Sequence, residues 1–232
     1  MKLSIIIPVF NEVNTIEKII NKIHSQSIKN FEIIVVDDCS TDGTREILKS
    51  KIRAKVKKII YHKKNRGKGS AIITAKNYIK GDIVIIQDAD LEYDPKDYKK
   101  LIFPILKKKT RVVYGTRVKK NKRYNSKNFI SLSRIFFNHV LTIFSNILNN
   151  QNLTDAHTCY KTFESKLFKK IKLEEEDFAF CPEVTSKISK LNEKILEVPI
   201  NYKGRSKAQG KKIGLIDGFR AIYVIIKYRL KT

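Results

Sequence analysis

The sequence predicts an α/β fold in which a mostly parallel central sheet is flanked by helices. Apolar runs typical of strands alternate with helical patterns three times within the first 90 residues, and this alternation favours a parallel sheet with right-handed connections. Carboxylate residues directly follow several of the predicted strands. Because parallel α/β sheets bind ligands at the carboxyl ends of their strands, the sequence also predicts a ligand site at one edge of the sheet.

The first strand and helix are the most regular predicted elements. Leu3 to Val9 is a continuous apolar run, which is typical of a strand that is buried on both faces. Isoleucines then recur at helical spacing, at positions 16, 19, 20 and 23, and predict an amphipathic helix. Further strands are predicted over 31–36 and 56–61 and from residue 83 onward.

Two carboxylates, Asp88 and Asp90, directly follow the predicted strand that begins at Ile83. Inside a buried strand an unpaired charge would cost several kcal/mol, whereas at the strand's end it can meet water or a cation. Mg²⁺ prefers a few carboxylate oxygens together with substrate phosphates. The pair therefore predicts a divalent metal site and a substrate that carries a diphosphate.

Other polar residues and one glycine fall just past the ends of neighbouring predicted strands. They are Glu12, Asp37, Asp38 and Gly67. All four are expected at the same edge of the sheet, and together they predict a nucleotide site. Each of them also has a purely structural interpretation, as a helix start, a turn residue or a turn glycine.

Basic residues outnumber acidic ones by 48 to 23, which gives a formal net charge of +25. This surplus predicts attraction to nucleotides, nucleic acid or an acidic membrane surface, although a biased amino-acid usage explains it equally well. The apolar share of 42% is ample for a folded core and excludes a disordered chain.

The cysteines and the N-terminal sequence bear on the compartment. Cys39, Cys159 and Cys181 lack metal-ligand spacing and are odd in number, so we expect reduced thiols of a cytosolic protein. The N-terminal sequence lacks the pattern of a signal peptide. The sequence also contains no uncharged apolar run of roughly 18 residues, the length that favours a membrane-spanning helix. We therefore expect a cytoplasmic protein that does not span a membrane.

The chain resembles family 2 glycosyltransferases in the order and spacing of four motifs. These are Pro8-Val9-Phe10-Asn11-Glu12, the stretch from Val35 to Thr44, Asn65-Arg66-Gly67-Lys68-Gly69, and Asp88-Ala89-Asp90. Within the family it looks like the branch that contains dolichyl-phosphate mannosyltransferase. The resemblance implies a GT-A (nucleotide-diphospho-sugar transferase) fold, a nucleotide-sugar donor, Mg²⁺ or Mn²⁺ as cofactor, and inversion at the anomeric carbon.

The resemblance also implies which residues bind the donor and the metal. The donor-binding residues are Pro8, Phe10, Glu12, Asp37, Asp38, Gly67, Lys68 and Asp88. The metal ligands are Asp88, Asp90 and Glu92, where Glu92 stands in place of the glutamine that is usual in that branch. An additional carboxylate would bind the cation more tightly.

The resemblance further implies a set of acceptor and catalytic residues. The acceptor-phosphate residues are Arg117, Arg134, Arg205, Ser206 and Lys207, and the catalytic residues are Asp88, Asp90, Asp155 and Glu183. For Glu183, a first-turn acid that is favoured by the helix dipole is an equally good interpretation.

The predicted organisation is a GT-A domain over residues 1–210 and a C-terminal amphipathic helix over 211–232. Residues 1–115 form the nucleotide-sugar and metal half of the domain, and 116–210 form the acceptor half. The apolar arc of the stretch from 128 to 148 is wider than one core face needs. This stretch and the stretch from 214 to 230 are each either a core helix or a helix at a membrane surface.

The leading functional hypothesis is transfer of a sugar from a GDP-mannose or UDP-glucose type donor to a polyprenyl or dolichyl phosphate. The reaction would take place at the cytosolic membrane face, through peripheral contact or a separate membrane-embedded partner. A lipid phosphate is ionised at pH 7 and needs no general base, whereas a glycan hydroxyl needs one. The alternative is therefore a hydroxyl acceptor with Glu183 as the base.

Two further function classes agree with part of the sequence. A sugar nucleotidyltransferase also uses an α/β sheet and a carboxylate-bound metal, but it releases pyrophosphate. A nucleic-acid-binding protein is suggested only by the charge and leaves the clustered carboxylates unexplained. We therefore expect no nucleic-acid partner.

Overall fold

The protein is built around a central sheet. The computed structural model describes residues 1–118, 129–205 and 215–230, excluding the side chains of 129–134 and 215–217. The strands are β1 (Leu3–Val9), β2 (Phe31–Asp37), β3 (Lys58–Tyr61), β4 (Ile83–Ile86), β5 (Val112–Thr116), β6 (Lys161–Glu164) and β7 (Ile195–Pro199). Their spatial order in this seven-stranded sheet is β3-β2-β1-β4-β6-β5-β7. β6 is antiparallel to both of its neighbours, and the other pairings in the described sheet are parallel.

Helices cover both faces of the sheet. They are α1 (Ile16–His24), α2 (Thr44–Ile47), α3 (Lys68–Lys76), α4 (Tyr98–Leu106), α5 (Phe129–Asn149), α6 (Ser165–Lys170), α7 (Phe180–Lys190) and α8 (Leu215–Leu230). The chain continues from α2 through a π-helical turn and a 3-10 turn, which end at Lys55. Among the described helices, none combines the length and the apolar content that crossing a bilayer requires.

The alternation of side chains along β1 creates two apolar cores. Ile5 and Ile7 pack with α1 and α4 on one face of the sheet. Ile6 packs with α3, α6 and α7 on the other face. Burial of both faces explains why the sequence of this strand is apolar without interruption.

The register of the parallel strands brings their carboxyl ends together. Val9 of β1 lies opposite Asp37 of β2, and Ile6 of β1 lies opposite Ile86 of β4. The predicted GT-A fold and its C-terminal helix are confirmed, although β3 begins two residues later than predicted. The division of the domain at residue 115 stays a prediction.

Candidate active site

A carboxylate cluster lies at the carboxyl edge of the sheet and consists of Glu12, Asp88, Asp90 and Glu92. Glu12 lies in the loop after β1, and the other three follow β4. Arg205, which lies beyond the last strand, donates from Nη2 to Glu12 Oε1 and to Asp90 Oδ2, both at 3.0 Å. One guanidinium thus bridges the loops after two adjacent strands. The predicted convergence of these residues is present.

Glu12 is buried and held from both sides. Its Oε2 accepts hydrogen bonds from Thr15 Oγ1 at 2.7 Å and from Arg205 Nη1 at 3.1 Å. Its backbone N–H donates to Thr44 Oγ1 at 2.9 Å, which joins the loop after β1 to the start of α2. Thr15 and Arg205 therefore fix the carboxylate, and Thr44 fixes the backbone of the same residue.

Asp37 and Asp38, which the sequence could not distinguish, have different surroundings. Asp37 is fully buried and accepts from Arg45 Nε at 2.5 Å. Asp38 accepts from the backbone N–H of Gly67 at 2.7 Å and from His62 Nδ1 at 2.7 Å. Asp38 therefore fixes the loop before α3. The nucleoside-binding role of both residues, and of Pro8 and Phe10, stays a prediction.

The glycines of the Gly67-Lys68-Gly69 motif have a packing role that the sequence did not reveal. Gly67 has a positive φ of 94°, and a Cβ there would lie 2.5 Å from the carbonyl oxygen of Glu176. A Cβ at Gly69 would lie 2.1 Å from the carbonyl oxygen of Glu175. Only glycine lets the start of α3 approach this segment so closely.

Lys68, the first residue of α3, forms an ion pair with Asp88. Burial acts to lower the pKa of Lys68, but the Asp88 carboxylate outweighs this effect and holds that pKa above its usual range. The ammonium group is therefore charged at neutral pH. It places a fixed positive charge beside the predicted metal ligand.

Asp90 lies where negative charge accumulates. Burial, together with the charges of Asp88 and Glu92, raises the pKa of Asp90 to about 7. A bound cation would relieve this repulsion, so the donor set fits a divalent metal. Within the described residues, no three His, Cys, Asp or Glu side chains form a group that could hold a metal by themselves. Mg²⁺ usually takes one or two carboxylates and completes its shell with substrate phosphates and water.

Glu92, a predicted metal ligand, anchors the segment that contains Arg205. Its Oε2 accepts from the Tyr202 hydroxyl at 2.8 Å, and its Oε1 accepts from the backbone N–H of Arg205 at 2.7 Å. Both oxygens are therefore engaged by residues 202–205. The metal-binding role of Glu92 stays a prediction beside this structural one.

Arg117, whose side chain is 12% exposed, and the buried Asp155 form an ion pair at the other end of the edge. Asp155 Oδ2 accepts from Arg117 Nε at 2.7 Å, and Oδ1 accepts from Nη2 at 2.7 Å. The guanidinium also lies 5.1 Å from the centre of the Tyr202 ring. Asp155 is 1% exposed, so its evident action in this structure is to fix Arg117.

Of the remaining predicted acceptor residues, the structure describes the side chain of Arg205. Arg205 was assigned to the acceptor, yet its guanidinium contacts Glu12 and Asp90 on the predicted donor side. Arg134 lies in α5, but its side chain is outside the described residues, as are Ser206 and Lys207. The acceptor roles of these residues stay predictions.

Glu183, the predicted base, lies in the first turn of α7 and is fully buried. Its Oε1 accepts from the backbone N–H of Glu174 at 2.7 Å and from Lys187 Nζ at 2.6 Å. Its Oε2 accepts from the N–H of Glu175 at 3.0 Å. These contacts tie α7 to the preceding segment and support the structural interpretation. The catalytic role stays a prediction without support from its contacts.

Two residues near the site were missed by sequence reasoning. Tyr202 contacts both Glu92 and Arg117, and no local pattern could reveal contacts across so many residues. Lys161 in β6 is fully buried, donates to the Ala156 carbonyl at 2.9 Å and lies 3.4 Å from the centre of the Tyr114 ring. Burial lowers the pKa of Lys161 to about 8.

The chain is similar in sequence to a known protein family and to two characterised enzymes. The model of glycosyl transferase family 2 matches residues 4–172. The UDP-N-acetylglucosamine–dolichyl-phosphate N-acetylglucosaminyltransferase of Methanococcus voltae is 29% identical, over 97% of this chain and 95% of that protein. The dolichol-phosphate mannosyltransferase of Pyrococcus furiosus is also 29% identical, over 98% of this chain and 64% of that protein.

A solved structure shows the same fold. It is the glucosyl-3-phosphoglycerate synthase of Mycobacterium tuberculosis in complex with Mn²⁺, uridine diphosphate and phosphoglyceric acid. The TM-score is 0.73 at 17% identity, over 99% of this chain and 77% of that one. At this identity the likeness concerns the fold alone. Together with the family match and the two curated relatives, it establishes that the chain belongs to glycosyl transferase family 2, as a GT-A glycosyltransferase of the dolichyl-phosphate mannosyltransferase-like branch.

Proposed function

We propose that this protein transfers a sugar, with inversion, from a nucleoside-diphosphate sugar to a polyprenyl phosphate and requires a divalent metal. The observation that carries the proposal is the arrangement at the sheet edge. There the carboxylate cluster lies at one end and the Arg117–Asp155 pair at the other, and Tyr202 contacts both. The names of the two curated relatives, which both include a dolichyl or dolichol phosphate, support this acceptor class.

The donor end suits a leaving diphosphate. Asp88 and Asp90 would hold the metal, and the raised pKa of Asp90 supports that assignment. When bound, Mg²⁺ or Mn²⁺ would neutralise the charge that develops on the leaving phosphate. Lys68 is charged and fixed against Asp88, so it adds a second, permanent positive charge at the same place.

The acceptor end suits a phosphate better than a hydroxyl. A guanidinium is always charged and matches the geometry of phosphate oxygens, and Asp155 fixes that of Arg117. A hydroxyl acceptor would require a base that it can reach. Glu183, the predicted base, is buried and accepts hydrogen bonds from three donors. The contacts therefore favour an ionised phosphate, which needs no base.

In the test, purified protein is incubated with a polyprenyl phosphate and with labelled GDP-mannose, UDP-glucose or UDP-N-acetylglucosamine. We expect label from one donor in the organic phase, release of nucleoside diphosphate, and loss of both with EDTA. Release of pyrophosphate would instead identify a nucleotidyltransferase. Label that enters a water-soluble glycan, and that is lost in Glu183→Gln, would identify the hydroxyl reaction.

A matched pair of variants tests the acceptor end. Arg117→Gln should raise the acceptor KM roughly tenfold or more, since a hydrogen bond to a charged group contributes about 1.5–3 kcal/mol. The control is Arg53→Gln, because Arg53 is exposed in the turn after α2. Equal KM values in the two variants would remove Arg117 from the acceptor site.

The reaction would take place at the cytosolic face of a membrane, with the protein attached peripherally. A polyprenyl acceptor is itself a membrane lipid, so the enzyme must reach the bilayer surface. A separate membrane-embedded partner stays a prediction.

A further inference from the structure

Gln87, the residue that directly follows β4, is a fully buried polar side chain. Ile83 and Ile85 of that strand pack with α1 and α4, and because side chains alternate along a strand, Gln87 points to the same face of the sheet. Its backbone N–H donates to the carbonyl of Ile6 at 2.9 Å and extends the pairing of β4 with β1. A buried amide is costly unless its polar atoms have hydrogen-bond partners.

The amide hydrogens of Gln87 are bonded to the segment that follows it. Nε2 donates to the carbonyl oxygen of Asp88 at 3.0 Å and to that of Tyr93 at 3.3 Å. Residues 88–93, which contain the three predicted metal ligands, are called the ligand loop below. One side chain therefore joins the first and the last residue of this loop.

The amide oxygen of Gln87 is held by two buried tyrosines. Oε1 accepts from the hydroxyl of Tyr98, the first residue of α4, at 2.9 Å. It also lies 2.8 Å from the hydroxyl of Tyr160, which directly precedes β6. An amide has two hydrogens to donate and an oxygen that can accept two hydrogen bonds. All four positions on Gln87 are therefore occupied.

This network determines which way the amide of Gln87 points. In the reversed orientation, Oε1 would lie against two backbone carbonyl oxygens, with no hydrogen between these acceptors. The orientation with Nε2 toward the ligand loop avoids this repulsion. The tyrosine hydroxyls thus hold the amide, and the amide holds the loop.

The ligand loop needs support from its surroundings. Leu91 has a positive φ of 64°, a left-handed conformation that residues other than glycine rarely adopt and that costs free energy. In addition, the carboxylates of Asp88 and Glu92 repel that of Asp90. A loop of this kind keeps its conformation when the structure around it is fixed.

We propose that Gln87 is a positioning residue of the metal site, which holds Asp88 and Asp90 in the arrangement that a divalent cation requires. It acts through the backbone of the ligand loop and does not itself bind the cation. The inference rests on the proposed function in one respect, that Asp88 and Asp90 bind a divalent metal. Residues that orient metal ligands typically contribute roughly 10- to 100-fold to metal affinity.

The test measures binding of Mn²⁺ alone to the full chain, by electron paramagnetic resonance. Gln87→Met replaces the amide with an apolar side chain of similar size and should weaken Mn²⁺ binding roughly 10- to 100-fold. Tyr98→Phe removes one hydrogen bond to the amide and should weaken binding by about 2- to 10-fold. Because Tyr98→Phe keeps Gln87, it tests the network even if Gln87→Met does not fold. Circular dichroism shows which variants fold.

The matched control is Tyr114→Phe, which also removes the hydroxyl of a buried tyrosine. Tyr114 lies in β5 and packs on the other face of the sheet, where its hydroxyl is 3.1 Å from Thr185 Oγ1. Thermal unfolding should shift to a similar extent in Tyr98→Phe and Tyr114→Phe. Mn²⁺ affinity should fall in Tyr98→Phe and stay at the wild-type value in Tyr114→Phe. This difference distinguishes positioning of the loop from a general loss of stability.

Sugar transfer gives a second readout of the same role. In Gln87→Met, the Mn²⁺ concentration that gives half-maximal transfer should rise by the same factor as the Mn²⁺ dissociation constant. The acceptor KM should stay unchanged, because the acceptor end lies outside the ligand loop.

Two results would overturn the inference alone. They are wild-type Mn²⁺ affinity in folded Gln87→Met, and equal loss of affinity in Tyr98→Phe and Tyr114→Phe. Absence of Mn²⁺ binding by the wild type would overturn both the inference and the metal requirement of the proposed function. Mn²⁺ binding that Gln87→Met weakens, in a protein that transfers no sugar, supports the inference and contradicts the proposed function.

Discussion

The candidate active site has two ends along the carboxyl edge of the sheet, and their charges are balanced differently. Asp155 and Arg117 form a bidentate pair in which two hydrogen bonds of 2.7 Å join one carboxylate to one guanidinium. In the carboxylate cluster, Glu12 and Asp90 share the single guanidinium of Arg205. Only the cluster contains a carboxylate whose pKa is raised to about 7. The first end therefore has one carboxylate for one guanidinium, whereas the surplus negative charge of the second end suits a cation.

The largest expected effect comes from breaking the bidentate Arg117–Asp155 pair. Asp155→Asn removes the carboxylate charge beside the largely buried Arg117 guanidinium, which should lower the free energy of unfolding by up to about 3–5 kcal/mol. Urea denaturation measures this loss. The double variant Arg117→Met with Asp155→Leu should cost clearly less, because it leaves no unpaired charge. A single-variant loss below about 1 kcal/mol would mean that the pair is not electrostatically isolated.

The next effect concerns the cluster. Asp88→Asn should lower the transfer rate by about 10²–10³-fold, the usual consequence of losing one electrostatic contact to a developing charge. Mn²⁺ binding, followed by calorimetry, should weaken in parallel. Glu46→Gln, which changes an exposed carboxylate in α2, is the control and should alter neither quantity. A normal rate in Asp88→Asn would remove this residue from the site.

A smaller effect should appear in the pH dependence of the metal-free protein. The folded-state pKa of Asp90 is raised from 3.8 to about 7, so the folded protein binds this proton more tightly than the unfolded chain does. The resulting stabilisation is complete below pH 4 and is lost as the pH rises through about 7. With chelator present, Asp90→Asn should therefore show a smaller fall in the free energy of unfolding between pH 5 and pH 8 than the wild type. An unchanged slope would contradict the charge surplus.

The smallest effect distinguishes the two roles of Glu92. Tyr202→Phe removes one hydrogen bond to Glu92 and should raise substrate KM values by about 2- to 10-fold, equivalent to roughly 0.5–1.5 kcal/mol. Mn²⁺ affinity should stay unchanged in this variant. Glu92→Gln keeps an acceptor for the Arg205 N–H but removes the charge. If Glu92→Gln also leaves Mn²⁺ affinity unchanged, the residue anchors residues 202–205 and is not a metal ligand.

The carboxylate edge could be predicted because it follows from local sequence and one topological rule. Glu12, Asp37 and Asp88 each lie at or just beyond the end of an apolar run, and parallel pairing of β1 with β2 and β4 brings those ends together. The contacts of Arg205 could not be predicted in this way. They depend on how the chain beyond β7 returns to the edge, across 193 residues to Glu12.

The helices illustrate a second limit. The width of the apolar arc in α5 was visible in the sequence, but the direction of burial was not. That direction depends on polar contacts of Thr142 and Asn146 with residues 153–156. The same applies to Glu183, whose position in the first turn of a helix was predictable, whereas its hydrogen bonds to the backbone of Glu174 and Glu175 were not.

The reversed direction of β6 has a consequence for how this enzyme can change. β5 ends at Thr116, and because β6 runs antiparallel to it, the chain re-enters the sheet at Lys161 on the same edge. The stretch from 117 to 160, which includes α5, is therefore topologically an enlarged hairpin loop that leaves and returns at one place. Loops of this kind tolerate insertion and replacement, because the strands on either side keep their register. Helix α5 can therefore vary without a change in strand register, as long as Arg117 and Asp155, near the two ends of this stretch, are kept.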